Sequence, residues 1–377
     1  MVPFATACRD AGHEVKVAAP GSFAQTVTSA GLDHVPFADV SPAVLGPIFG
    51  RLAELSRVEA NRVVIAEVFG RLDAQAALPG LMELMANWRP DVVVREFCEF
   101  GSLVAAAKLG VPQVEVAIGL TAAFQSVLPV VASPLAELEA VVGLPEGLAY
   151  RVLSSGPVLS CIPAEVDGED DTSGFRVHRF RVPSLTAVEG SPPPPWGYQE
   201  HPLVYVTFGS VAAGLPPFAG IYRSVLDALS GEPLRVLMTT GSAIEPGSLA
   251  PLPANARVEQ WRAQASVMPH TEVVVGHGGF GTTMVALAGG VPQVVIPLFA
   301  SDQFVNAERV EAIGAGVCLD GGSDAVSALA AALADVLRDR AYQQEDVPSP
   351  VELGWRPGGD QAATSPSSHC GVTAALA

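Results

Sequence analysis

Gly276-His277-Gly278-Gly279-Phe280-Gly281-Thr282-Thr283 sets one imidazole and two hydroxyls among four glycines. The run follows an apolar stretch, Thr271–Val275, that reads as a buried strand. It opens a helical pattern, Met284-Val285-Ala286-Leu287-Ala288. Backbone N–H groups flanked by such small residues can close on an anion. The helix N-terminus adds unpaired donors and the positive end of its dipole. Further on, Ser301-Asp302-Gln303-Phe304-Val305-Asn306 supplies a carboxylate that can accept from two hydroxyls and an amide that can both donate and accept. Together the two segments suggest a site for a diphosphate carrying something polyhydroxylated.

Positioning such loops calls for strands that end beside them, and the chain alternates strand and helix patterns. Phe4–Ala11 reads as a helix, Glu14–Ala19 as a strand and Gly21–Ala30 as a helix closed by Gly31. Asp91–Val94 and Val111–Ala117 read as strands around a small-residue helix, Gly101–Leu109. The pattern breaks at Ser191-Pro192-Pro193-Pro194-Pro195, where consecutive prolines favour an extended linker. It restarts with strands Leu203–Thr207, Arg235–Thr239, Val273–Val275 and Pro292–Ile296. Helices are expected at Phe218–Ser230, Thr283–Ala288, Phe304–Ile313 and Val326–Arg338. Strands separated by helices imply parallel sheets covered on both faces. The expected organisation is an α/β chain with a first Rossmann-like domain over 1–180, a linker over 181–200 and a second such domain over 201–343. A Pro-, Gly- and Ser-rich tail over 344–377 loses hydrophobic periodicity and is expected to be disordered.

With 377 residues, 49% of them apolar, two ordinary domains can each bury a core. A net charge of −18 argues against a nucleic-acid partner, which needs clustered Lys and Arg. It does not argue against a small phosphorylated ligand held by backbone amides. Cys8, Cys98, Cys161, Cys318 and Cys370 are odd in number and lack metal-ligand spacing, so they read as reduced thiols with no zinc site. No basic region followed by an apolar signal core opens the chain, and no run of about 18 charge-free apolar residues is read in it. No stable membrane insertion and a cytoplasmic location are therefore expected. The sequence permits a homodimer without specifying one.

The motifs resemble, in order, those of GT-B glycosyltransferases of the UDP-glycosyltransferase superfamily, most of all actinobacterial enzymes that glycosylate natural products. They are Ala11-Gly12-His13-Glu14-Val15, Leu109-Gly110-Val111-Pro112, Thr207-Phe208-Gly209-Ser210, Val258-Glu259-Gln260-Trp261, the His277 loop, Gly289-Gly290-Val291-Pro292, and Asp302-Gln303 with Asn306. The resemblance implies two Rossmann-like domains whose parallel sheets face each other across a cleft, the first binding an acceptor and the second a nucleotide-sugar donor. It implies an inverting transfer of a hexosyl or deoxyhexosyl group to a hydroxyl of a hydrophobic acceptor, with no cofactor and no metal. By the same resemblance Trp261 stacks on the nucleobase with Gln264 behind it. Ser210, His277, Gly278, Gly279, Gly281 and Thr282 line the diphosphate, and Asp302 and Gln303 hold sugar hydroxyls. Many members that use UDP place a ribose-binding glutamate near the position of Val285. Valine cannot accept a hydrogen bond, so a TDP donor, which lacks the 2′-hydroxyl, is favoured over UDP.

One part of the pattern is missing. The family's general base is a histidine after the first strand, and Met1-Val2-Pro3-Phe4 resembles the helix start that follows that loop. The first strand and the base would then lie upstream of Met1, and His13 reads as a surface turn residue rather than a substitute. Glu96, with Glu99 as the weaker alternative, stands near the carboxylate that orients the histidine. The closing C-terminal helix is also absent from the pattern. These departures predict an inactive or poorly soluble chain unless the true start lies upstream, and they keep open a non-catalytic nucleotide-sugar binder as the alternative. A nicotinamide oxidoreductase is disfavoured, because Gly276–Gly281 lacks the GxGxxG spacing.

Overall fold

A computed structural model describes residues 1–52, 54–168, 174–180, 193–320, 322–338 and 371–375. The chain forms two compact α/β units, each built on one all-parallel sheet. The first contains β1 (Glu14–Pro20), β2 (Asp33–Phe37), β3 (Val92–Glu96), β4 (Gln113–Val116), β5 (Pro157–Ser160) and β6 (Arg176–Arg179). The second contains β7 (Leu203–Thr207), β8 (Arg235–Thr239), β9 (Ala256–Glu259), β10 (Val273–Gly276), β11 (Gln293–Val295) and β12 (Gly316–Cys318). A last strand, β13 (Gly371–Ala375), returns to the first sheet.

The second sheet runs β12-β11-β10-β7-β8-β9. All five residues of β7 are buried, and their alternation feeds two cores. Val204 and Val206 join Val236, Met238, Val273 and Val275 on one face. Leu203 and Tyr205 join Leu237 and Val274 on the other. Each fully buried Val or Leu side chain contributes about 1.5–3 kcal/mol. Helix Ile221–Ala228 and helix Leu329–Arg338 cover the first face with Ile221, Tyr222 and Val225 at i, i+1 and i+4, and with Leu329, Leu333 and Val336 at i, i+4 and i+7, each set forming an apolar stripe. Ala286 of helix Phe280–Ala288 packs on the opposite face.

The first sheet runs β2-β1-β13-β3-β4-β5-β6, and this order corrects two expectations. The slot between β1 and β3, expected to lack its strand, is filled. β13 pairs in parallel with β1 (Glu14 opposite Gly371, Ala18 opposite Ala375) and with β3 (Val372 opposite Val92, Ala375 opposite Arg95). The tail expected to be disordered therefore supplies an interior strand at 371–375; residues 344–370 and 376–377 lie outside the described residues. The physical reason is the pairing demand of β1 and β3, each of which would otherwise leave a row of backbone donors and acceptors open. Val15, Val17, Ala19, Val94 and Val116 form the core on one side of this sheet, with Ala5 of helix Val2–Asp10 packed against them.

Helix Thr121–Val142 is long and apolar enough, by length and composition alone, to cross a membrane, which the sequence reading did not anticipate. It carries Pro129 and Pro134, and its buried Glu139 accepts from the Gly147 N–H at 2.6 Å. Of the proline segment, Pro193–Pro195 adopt no regular secondary structure, and 181–192 lie outside the described residues.

Candidate nucleotide-sugar and acceptor sites

In the second sheet β7, β8 and β9 run outward in one direction and β10, β11 and β12 in the other. The order reverses between β7 and β10, and in open parallel sheets the crevice beyond the carboxyl ends at such a reversal is where ligands bind. The loops leaving those two strands are the ones carrying Ser210 and His277.

Glycine lets the two loops meet. Gly209 has φ +73°, and a Cβ there would lie 2.8 Å from Cε1 of His277. A Cβ on Gly279 would lie 2.5 Å from both Cε1 and Nε2 of the same ring. Two residues that have no side chain thus crowd the Cε1–Nε2 edge of the imidazole. Gly278 has φ +81°, and a Cβ on it would stand 2.6 Å from the backbone oxygen of Gln303. No other residue type fits that position. Burial pushes the His277 pKa down to about 4, so the ring is neutral near pH 7. Its Nδ1 is sealed from solvent and has no hydrogen-bond partner among the described residues.

Helix Phe280–Ala288 starts directly behind this ring. Its N-cap is Gly279, and no side chain caps it. The first N–H groups of the helix therefore have no capping side chain and carry the positive end of the dipole, an arrangement suited to a phosphate. A Cβ on Gly281 would meet nothing within 4 Å, so the space above the first turn is open. Thr282 Oγ1 accepts from Gln264 Nε2 at 2.9 Å, which couples Gln264 to the same turn. Beneath them the Tyr205 hydroxyl shares a 2.9 Å hydrogen bond with Thr239 Oγ1.

Trp261 follows β9 and is 76% exposed, so its side chain is no part of the core. Its loop is tied by Glu259, which accepts from Arg257 and Arg262, each at 2.7 Å. Ser210 is exposed beside Gly209. Asp302 lies in the first turn of helix Ser301–Ala312. Burial raises its pKa, and hydrogen bonds from its own N–H and that of Gln303 oppose the rise. Gln303 is almost wholly buried, and its Oε1 accepts from the Leu298 and Phe299 N–H groups at 2.9 and 3.1 Å. That oxygen is committed to the loop before the helix.

In the first unit Glu96 ends β3. Its Oε2 accepts from the Cys98 N–H at 2.8 Å, while Oε1 is buried without a partner among the described residues. Burial raises its pKa to about 7, and the nearby Glu99 and Glu115 add to the rise; the Cys98 N–H and the Arg95 guanidinium oppose it. Glu99 acts as N-cap of helix Phe100–Leu109, accepting from the Ser102 N–H at 2.7 Å. Near the carboxyl ends of β1, β2 and β3 lies a cavity of about 120 Å³ lined by Phe23, Phe37, Phe69, Phe100, Asp39, Asp73 and Glu99. The Asp73 pKa is raised to about 6 by burial, helped by Asp39 and Glu99. Of these residues only Glu99 is picked out from the sequence, as the alternative to Glu96. The others carry no motif, because they converge from segments far apart in the chain. Among the described residues no group of three or more His, Cys, Asp or Glu is arranged to hold a metal.

Comparison with known proteins agrees with this architecture. The family models for the N-terminal and C-terminal domains of erythromycin biosynthesis protein CIII-like proteins match residues 6–138 and 224–352. L-demethylnoviosyl transferase of Streptomyces niveus is 32% identical over 88% of this chain and 84% of its own length. Elloramycin glycosyltransferase of Streptomyces olivaceus is 30% identical over 94% and 92%. The crystal structure of the calicheamicin glycosyltransferase CalG4 superposes with a TM-score of 0.71 at 23% identity, covering 92% of this chain and 88% of that one, which shows a shared fold. The glycosyltransferase SsfS6 of Streptomyces sp. SF2575, complexed with thymidine diphosphate, superposes with a TM-score of 0.67 at 25% identity, covering 94% and 92%. The chain belongs to this family of GT-B-fold glycosyltransferases, related to actinobacterial sugar transferases of natural-product biosynthesis.

Proposed function

We propose that the chain is an inverting glycosyltransferase that takes a hexosyl or deoxyhexosyl group from a TDP-sugar and delivers it to a hydroxyl of a hydrophobic natural-product acceptor. The observation carrying this reading is the neutral His277 ring, packed against Gly209 and Gly279 at the uncapped start of helix Phe280–Ala288. A neutral imidazole donates one hydrogen bond without introducing a full charge. Together with the helix N–H groups it would stabilise the negative charge that grows on the diphosphate as the glycosidic bond breaks. The exposed Trp261 face offers a stacking platform for the base, and half-buried Asp302 offers a carboxylate to sugar hydroxyls. Val285 provides no acceptor for a ribose 2′-hydroxyl, which supports thymidine over uridine, and SsfS6 was crystallised with thymidine diphosphate. The Phe-lined cavity of the first unit suits an apolar acceptor.

A second reading, donor binding without turnover, has its own support. The strand filling the slot between β1 and β3 is Gly371-Val372-Thr373-Ala374-Ala375, which carries no titratable side chain. Glu96 is then the carboxylate nearest the role of proton acceptor, and burial keeps it about half protonated near pH 7. Calorimetric titration with TDP, UDP and NAD tests the donor site: TDP should bind tightest, and His277→Ala should abolish the binding. A tighter complex with UDP would sink the thymidine assignment. Donor binding without release of TDP in the presence of a hydrophobic phenol or macrolide acceptor would favour the second reading.

A further inference from the structure

Asn306 is 1% exposed and reaches out of helix Ser301–Ala312 to the diphosphate loop, where its Nδ2 donates to the Gly278 carbonyl at 2.7 Å. Gly278 is pressed against the same helix, since a Cβ there would meet the Gln303 backbone oxygen at 2.6 Å. The Gly278–Gly279 peptide is thus held from one side by one hydrogen bond and one close backbone contact. A trans peptide is planar, so its C=O and N–H point in opposite directions. With the Gly278 carbonyl turned towards Asn306, the Gly279 N–H is turned away from helix Ser301–Ala312. Gly279 is the N-cap of the helix whose start offers the anion site.

We infer that Asn306 is a positioning residue for donor binding: it locks the Gly278–Gly279 peptide so that the Gly279 N–H joins the donors offered to the diphosphate. The inference rests on the donor-binding reading above and goes beyond it, because Asn306 need not touch the ligand. It also accounts for a polar side chain in a buried position. Its Oδ1 has no partner among the described residues, so the Nδ2 bond to Gly278 is what ties this amide to the loop. A leucine of similar volume would pack there without leaving a buried oxygen unpaired.

The test compares thymidine, which lacks phosphates, with TDP on the full chain. Asn306→Asp keeps the shape and replaces the donor by an acceptor. The expected result is a loss of ten-fold or more in TDP affinity by calorimetry, with thymidine affinity within two-fold of the parent. An unchanged TDP affinity, or equal losses for thymidine and TDP, would overturn the inference, the second outcome marking general damage to the unit. If Asn306→Asp does not fold, Asn306→Ser carries the same comparison with the same outcomes. Failure of the parent chain to bind TDP would instead sink the donor-binding reading, and this inference with it.

Discussion

A Cβ on Gly209 would sit 2.8 Å from Cε1 of His277, so the loops after β7 and β10 interlock only because residue 209 lacks a side chain. Its φ of +73° adds a backbone demand that L-residues meet poorly. Gly209→Ala is expected to cost about 1–3 kcal/mol in the second unit. It should also displace the ring and weaken TDP binding. Thermal melting and calorimetry on one preparation check both effects; wild-type values for each would mean the ring is not confined as described.

Trp261 presents the opposite case. Its side chain is 76% exposed, so Trp261→Ala should leave stability within about 0.5 kcal/mol of the parent. Loss of a stacking platform should weaken thymidine binding by about 1–3 kcal/mol. A drop in melting temperature with unchanged nucleotide affinity would reassign the residue to packing.

The legibility of the sequence differed between the two units. Apolar runs marked β1, β7, β8 and β10 well, because strands buried on both faces read as near-continuous hydrophobic stretches. β9 was missed, since Ala256–Glu259 is only four residues long, too short for the alternation of Arg257 and Glu259 with Ala256 and Val258 to stand out. β12 spans only Gly316–Cys318, too short to show a period. β13 was unreadable because Gly371-Val372-Thr373-Ala374-Ala375 is weakly apolar, and its place is set by the open edges of β1 and β3. In the site, glycines and His277 were legible because the need for small residues around an anion is local. The commitment of Gln303 Oε1 to Leu298 and Phe299, and of Asn306 to Gly278, depends on tertiary approach and left no trace in spacing.

The two units should respond to pH with opposite sign. The folded pKa of Glu96 is raised from 4.5 to about 7, so the folded chain holds a proton that the unfolded chain releases between those values. Stability from this group is full below pH 4.5 and is lost as pH rises through 7, by about 3 kcal/mol. The folded pKa of His277 is lowered from 6.5 to about 4, so its contribution is full above pH 6.5 and is lost as pH falls through 4. Glu96→Gln should therefore stabilise the first unit at pH 8 and not at pH 4, and His277→Gln should flatten the acid limb of the second. Denaturant titrations at pH 4, 6 and 8 read both; an Glu96→Gln effect equal at all three would show that ionisation of Glu96 is not the cause.

Removing residues 371–377 would take β13 from the interior of the first sheet and leave β1 and β3 without their shared partner. Nine register pairs are lost, five to β1 and four to β3, where Val372, Thr373, Ala374 and Ala375 stand opposite Val92, Val93, Val94 and Arg95. Unpaired backbone groups at two facing edges invite both solvent entry and pairing with another chain. The expected outcome is faster hydrogen exchange at Lys16, Val17, Ala18, Val93 and Val94, together with concentration-dependent association. Exchange in β7 and β10 should stay unchanged, because those strands belong to the other sheet. Unaltered protection of β1 and β3 in the truncated chain would show that β13 does not hold this slot in solution. If protection is lost, a synthetic peptide of residues 371–377 added in excess should restore it, since a parallel strand held through backbone pairing needs no covalent link to occupy its place.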